Sequence, residues 1–487
     1  MISRREVLAG LGSAAIVGAQ PAKPNFLFIL ADDHAGYVLG ADGNRLARTP
    51  NLDRLASEGV RFAAHYCNSP VCTPSRQCFL TGQLPHMAGV TRLSTPLAEE
   101  KPTLAKQFKK AGYATAVFGK MHFNRPGVPG MHGFDVAQTE DVLTRDWQQS
   151  VKPAALPAGV RVKPPWRPFK DPARIWLNAE NLPYPRHEAD MRASYQVRQV
   201  EKYLDDHRSS PFALWVSFLE PHSPYDFPLE SRDRFRPAQF SAPAVAPQDA
   251  WQVPLIFRDL TGPEKQGIAA AYYTSVEYLD RNVGRVLRKL QSLGLDRNTF
   301  VVYMADHGYN LGQHGRFEKH CGFDPALRVP LLMRFPGRLE PGVVHGLTSH
   351  VDVPATITDM MGLEALPIQH GHPLPQTREH IFSEYLENEE AYIRTDRWKF
   401  IYCTGKRART DGYETDRPTP GRYRFLYDLR NDPDELHDVS KSQAAVAVEL
   451  QDRMIQTFRT THPDAEHEPA HRSGDEILDW YLRPRDA

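Results

Sequence analysis

The segment Cys72-Thr73-Pro74-Ser75-Arg76, followed by Leu80-Thr81-Gly82, holds the residues of this chain with the most evident chemical potential. Thr73 predicts an N-cap, Pro74 suits a first turn that tolerates a missing N–H, and Gly82 supplies a stop, so a helix is expected between them. Residue 72 then lies at a helix N-terminus, where unpaired N–H groups and the helix dipole favour an oxyanion. The blander alternative is a buried cysteine ahead of a capped helix.

Four apolar, β-rich runs end in polar residues suited to a metal or an oxyanion. Residues 25–31 lead into Asp32-Asp33, 113–118 into Gly119-Lys120-Met121-His122, 211–218 into Glu220-Pro221-His222, and 299–305 into Asp306-His307-Gly308. Short continuous apolar runs predict strands buried on both faces, as in a mainly parallel sheet. Ligands bind beyond the carboxyl ends of such strands, so distant residues can converge there. Helical patterns over 51–62, 103–111, 188–208 and 263–293 alternate with these runs and argue α/β. Asp32, Asp33 and Asp306 offer hard oxygens suited to Ca²⁺ or Mg²⁺, and His307 beside them leaves Mn²⁺ open. Arg76, Lys120, His122, His222 and Lys319 supply the positive charge and donors that an oxyanion gaining charge requires.

Taken together, Cys72-x-Pro74-Ser75-Arg76 with Leu80-Thr81-Gly82 resembles the maturation signature of the type I, formylglycine-dependent sulfatases of the alkaline-phosphatase-like superfamily. Resemblance continues in motif order from Asn25 to about Pro433. It implies that Cys72 is oxidised to Cα-formylglycine by a maturation enzyme, and that the aldehyde hydrate attacks sulfur. It further implies one Ca²⁺ per chain, with Mg²⁺ or Mn²⁺ as alternatives, on Asp32, Asp33, residue 72, Asp306 and His307. By the same resemblance Arg76 holds the hydrate, Lys120 bridges it to the sulfate, His222 or Lys319 protonates the leaving alcohol, and His122 deprotonates the remaining hydroxyl. Glu220-Pro221-His222-Ser223-Pro224-Tyr225 matches the family form well. Lys319 matches it more loosely, because Phe323-Asp324 stands where the family usually has a tyrosine-glutamate pair. Gly119-Lys120-Met121-His122-Phe123 has a local likeness to choline sulfatases.

The fold implied is an α/β alkaline-phosphatase-like sandwich: a large, mainly parallel central sheet and a smaller C-terminal α+β subdomain with an antiparallel sheet. At 487 residues the chain has room for both. The expected division is an export signal at 1–19, a catalytic domain at 24–372 and a C-terminal subdomain at 373–487. Short strand patterns at 380–384, 391–394, 398–402 and 425–429, then a helix at 443–458, support the last. Arg4-Arg5 before a weakly apolar run reads as a twin-arginine-like signal, so a periplasmic or secreted protein is expected, without a stable membrane span. Fifty-nine basic residues balance fifty-nine acidic ones, which gives no global field for nucleic acid. Proline-rich stretches at 152–172 and 225–254 read as irregular loops that could wall a pocket. The expected substrate is a small-molecule or carbohydrate sulfate ester. Alternatives on the same residues are a phosphate or phosphonate monoester hydrolase and a non-catalytic sulfated-glycan-binding protein.

Overall fold

The computed structural model describes residues 23–163, 167–168, 176–406, 414–415, 421–483 and 485. The export-signal reading at 1–19 and part of the 152–172 loop lie outside the described residues.

Fourteen strands occur among the described residues. They are β1 (Asn25–Ala31), β2 (Val60–Tyr66), β3 (Ala114–Gly119), β4 (Val136–Thr139), β5 (Arg167–Pro168), β6 (Trp176–Leu177) and β7 (Phe212–Ser217), then β8 (Thr299–Ala305), β9 (Leu331–Arg334) and β10 (Gly342–Ser349), and finally β11 (His380–Tyr385), β12 (Glu390–Thr395), β13 (Trp398–Cys403) and β14 (Tyr423–Asp428). The main sheet runs β10-β2-β9-β8-β1-β7-β3-β4. All its ladders are parallel except those of β9, which pairs antiparallel with both β2 and β8. β11 to β14 form a separate antiparallel meander. The large mainly parallel sheet and the smaller antiparallel one are therefore as the sequence predicts.

Continuous apolar runs became the sheet centre for a physical reason. β1, β7 and β8 are buried at every position, which requires helices on both faces. The 31-residue Gly262–Ser292 helix covers one face, opened by a capping box between Thr261 and Glu264. The Cys72–Thr81 and Leu104–Lys110 helices pack through Phe79 and Phe108 onto Phe28, Phe26 and Trp215 of the sheet.

Two local expectations are corrected. The helix predicted over 51–62 spans only Pro50–Ser57, and β2 begins at Val60. The chain passes so close to β9 at Gly59 that a Cβ there would lie 2.2 Å from the Met333 carbonyl oxygen. Thr73 is not the N-cap of its helix: Val71 takes that position without a side-chain cap, and the Thr73 hydroxyl donates to the Leu93 carbonyl. Residue 72 is still the first helical residue, and Gly82 closes the helix at φ 74°.

Candidate active site

The parallel direction of β1, β3, β7 and β8 carries their trailing residues to one edge of the sheet. Asp32 and Asp33 follow β1, Lys120 and His122 follow β3, His222 follows β7, and Asp306 and His307 follow β8. Cys72 arrives from β2 by way of a short loop. Its Sγ lies 3.1 Å from His307 Nε2, 3.7 Å from Asp32 Oδ1 and 3.8 Å from Lys120 Nζ.

Carboxylates and cations alternate around it. Arg76 Nε donates to Asp306 Oδ2 at 2.9 Å, and its Nη2 lies 3.3 Å from Asp32 Oδ2, to which Lys120 is also ion-paired. Arg76 Nη1 is directed to the Lys120 carbonyl and the Ser217 hydroxyl. The guanidinium expected at residue 72 thus makes its hydrogen bonds with the carboxylates and backbone that surround residue 72. Lys319 Nζ donates to Asp33 Oδ1 at 2.8 Å, and His307 Nδ1 lies 3.2 Å from the same oxygen. His222 Nε2 is 3.9 Å from Asp33 Oδ2. The His222 side chain is 26% exposed, against 9% for Lys319 and 4% for Lys120, so it faces the open side of the cluster.

Burial alone would raise the Cys72 thiol, but Lys120, Lys319 and His307 outweigh it and hold the group well below its ordinary range. The same contest keeps Asp32 ionised against burial, chiefly through Lys120. Asp306 is pushed up to about 6, mainly by burial, with Arg76 opposing. Burial disfavours a charged His307, yet Asp306 and Cys72 lift it to about 9. His122 moves down, through burial and then Lys120, which leaves it neutral and ready to accept a proton.

Asp32, Cys72, Asp306 and His307 present ligand atoms within 4.8 Å of one another, as do Asp32, Asp33, Cys72 and His222. Asp33 Oδ2 is buried with no hydrogen-bond partner among the described residues. Two such groups that share Asp32 and residue 72, with carboxylate oxygens from Asp32, Asp33 and Asp306, suit a hard divalent cation.

Some supporting residues carried no local sequence signal. Tyr272, midway along the Gly262–Ser292 helix, donates to the Asp33 carbonyl and accepts from the Ala35 N–H at 2.9 Å. Ser217, the last residue of β7, joins Arg76 to the Lys120 carbonyl, and its place at a strand end was the one available clue. Gln77 Nε2 donates to the carbonyls of Met121 and His122 at 3.3 and 3.4 Å.

The Sulfatase family profile matches residues 24–363. The chain belongs to the sulfatase family. It is thus a sulfuric ester hydrolase, and its C-terminal part, residues 312–460, matches the N-sulphoglucosamine sulphohydrolase C-terminal profile. This sulfatase is 28% identical over 471 residues to a choline-sulfatase of Rhizobium meliloti, covering 91% of this chain and 88% of that one. It is 30% identical to the mouse steryl-sulfatase, Mus musculus, covering 79% and 70%. In three dimensions it resembles a phosphonate monoester hydrolase of Agrobacterium radiobacter, with TM-score 0.74, 23% identity and coverage of 91% and 97%.

Proposed function

We propose that this sulfatase cleaves the sulfate monoester of a small alcohol or a carbohydrate, using Cys72 matured to formylglycine as nucleophile. The observation that carries the reading is the setting of residue 72: buried at a helix start, 3.1 Å from His307 and under 4 Å from Asp32 and Lys120. Asp32, Asp33, residue 72, Asp306 and His307 would hold a Ca²⁺ ion, which when bound would polarise sulfate oxygens and lower the pKa of a hydroxyl on residue 72.

Lys120 orients the sulfate and balances the charge it gains in transfer. A hydroxyl of residue 72 attacks sulfur, giving its proton to a carboxylate of the cluster, as the S–O bond to the ester oxygen breaks; the alcohol leaves with a proton from His222, which faces solvent, or from Lys319. Asp33 keeps Lys319 protonated: burial opposes the charge, but the Asp33 carboxylate raises the Lys319 pKa well above its ordinary value. Neutral His122 then accepts the proton of the remaining hydroxyl, the aldehyde re-forms, and sulfate departs. Arg76 fixes Asp32 and Asp306 throughout.

The division into a catalytic unit at 24–372 and a C-terminal subdomain at 373–487 is part of this proposal, as is export by a twin-arginine signal. The 225–254 stretch supports a narrow entrance: it begins beside His222, and Asp226 is ion-paired with Lys163 of the other proline-rich loop. Likeness to the choline-sulfatase favours small esters.

Mass spectrometry of the peptide containing residue 72, from native-host protein, should show loss of H₂S and gain of O. Sulfate release should then be measured from choline sulfate and from mono- and oligosaccharide sulfates, with an aryl phosphate and a phenylphosphonate ester alongside. Unmodified Cys72 in fully active protein overturns the nucleophile. Faster turnover of the phosphorus esters would favour the phosphonate hydrolase alternative, and binding without turnover the non-catalytic one. Replacing Arg4-Arg5 by two lysines should retain the protein in the cytoplasm.

A further inference from the structure

A cavity of about 300 Å³ lies away from the residue 72 cluster, where the Ala444–Thr461 helix crosses β11 beside Leu84 and the end of β10. Its walls are of two kinds. Leu84, Val351 and Phe382 form an apolar side, whereas Arg378, His380 and Arg453 form a basic one. Among the described residues no carboxylate lines it.

The basic wall keeps unused donors. Arg378 directs Nε and Nη2 to Asp352 and to the His370 carbonyl, which leaves Nη1 without a hydrogen bond among the described residues. Arg453 directs Nε and Nη2 to Glu449, at 3.2 and 3.1 Å, whereas its Nη1 lies 3.7 Å from Glu379, beyond hydrogen-bond reach. His380 Nδ1 is buried with no partner among the described residues. A buried polar atom left unpaired costs free energy, so an oxygen placed against it is favoured. Burial and then Arg453 and Arg378 lower the His380 pKa, so the imidazole is neutral near pH 7 and presents one N–H.

We propose that this cavity is a second, non-catalytic binding site for a small organic anion, its sulfonate, sulfate or carboxylate head on Arg378, His380 and Arg453 and its apolar body on Leu84, Val351 and Phe382. The volume exceeds what a bare oxyanion needs and matches the lower end of small-molecule sites. Both guanidiniums already face acids, Asp352 for Arg378 and Glu379 with Glu449 for Arg453, so affinity for inorganic sulfate alone should be weak. The apolar wall supplies the remainder. The site is independent of the chemistry assigned to residue 72.

The probe is 4-bromobenzenesulfonate, whose C–S bond this hydrolase does not cleave. Crystals of the full chain soaked with it should show bromine anomalous density between Leu84 and Phe382, separable in position from any peak near Cys72. In solution, equilibrium dialysis should lose one class of sites, or show that class weakened about tenfold, in Arg453→Gln and in His380→Phe, as expected for removal of one charge-assisted or buried hydrogen bond. Neither residue belongs to the catalytic cluster, so aryl sulfate turnover should be unchanged in both variants. Inorganic sulfate should not displace the 4-bromobenzenesulfonate from this cavity at concentrations that empty the residue 72 site. Bromine density near Cys72 alone, no density in either place, or binding indifferent to both substitutions would each overturn the proposal. Unfolding of one variant would leave the other, and the wild-type crystal, as the deciding measurement.

Discussion

Asp33 adopts a left-handed backbone, φ 65°, at the point where its carboxylate faces Lys319, His307 and His222. A non-glycine residue holds that conformation only when its surroundings impose it. Tyr272 contributes to that, because one hydroxyl serves the Asp33 carbonyl and the Ala35 N–H together, while Asp306 Oδ1 accepts from the Asp33 N–H at 3.1 Å. Tyr272→Phe should cost roughly 1–3 kcal/mol of stability by leaving two buried backbone groups unpaired. Ca²⁺ affinity, measured by calorimetric titration of chelator-treated protein, should fall about tenfold. Asp33→Asn should weaken Ca²⁺ more severely while leaving the turn intact, since it removes charge and keeps the backbone bonds. If Tyr272→Phe lost stability with unchanged Ca²⁺ affinity, the tyrosine would be a packing residue and no more.

At the scale of the element, Gly119 shows what the end of β3 must satisfy. It has φ 106°, and a Cβ there would sit 1.9 Å from the Ser217 carbonyl oxygen of β7 and 2.7 Å from Gln196 Nε2. The first is backbone, and the Gln196 amide is held by the Phe118 and Ser217 carbonyls, so Gly119→Ala must separate β3 from β7. About 3 kcal/mol or more of stability should be lost. Denaturant unfolding checks that figure, and kcat should fall further than stability explains, because Lys120 and His122 ride on this strand end. Such positions also mark what could be read in the chain beforehand. β1, β3, β7 and β8 were legible because full or nearly full burial makes them continuous, mostly apolar runs, and their polar tails gave the cluster. β2 and β10 were not, since their partly exposed patterns mix polar and apolar residues without a clean period. β9 is four residues long and antiparallel in a parallel context, which no local pattern announces. Tyr272 and Gln77 escaped for a related reason: each acts from the middle of a helix through tertiary contact.

On the scale of the whole molecule, the two sheets meet through Asp324. It accepts from Tyr66 at 3.0 Å, pairs with Lys399 of β13 and lies 3.6 Å from Arg394 of β12, while Glu435 shares Lys399 at 2.7 Å. Burial raises its pKa, but Lys399 and then Arg394 outweigh burial and set it well below the usual carboxylate range. A depressed folded-state pKa means stability that is fully present above the unfolded value near 3.9 and is lost as pH falls below it. Asp324→Asn should therefore lower stability at pH 7 by roughly 3 kcal/mol, as for a broken buried ion pair. The gap from wild type should narrow below about pH 4, which urea unfolding at the two pH values can measure. A gap independent of pH would place the effect in shape and not in charge.

The position of β2 in the main sheet has a bearing on timing. Its partners, β9 and β10, come from residues 331–349, whereas the segment it delivers ends in Cys72. During synthesis that segment has no sheet to join until most of the chain has been made. Once it joins, residue 72 is only 1% exposed and every residue of its helix is buried. If residue 72 is matured as proposed, the modifying enzyme has a window, opening when residue 72 is synthesised and closing when residues 331–349 dock. Delayed docking should widen it, and a refolded, unmodified chain should be refused as a substrate. Maturation on this view is a race against the late strands that close the main sheet around β2.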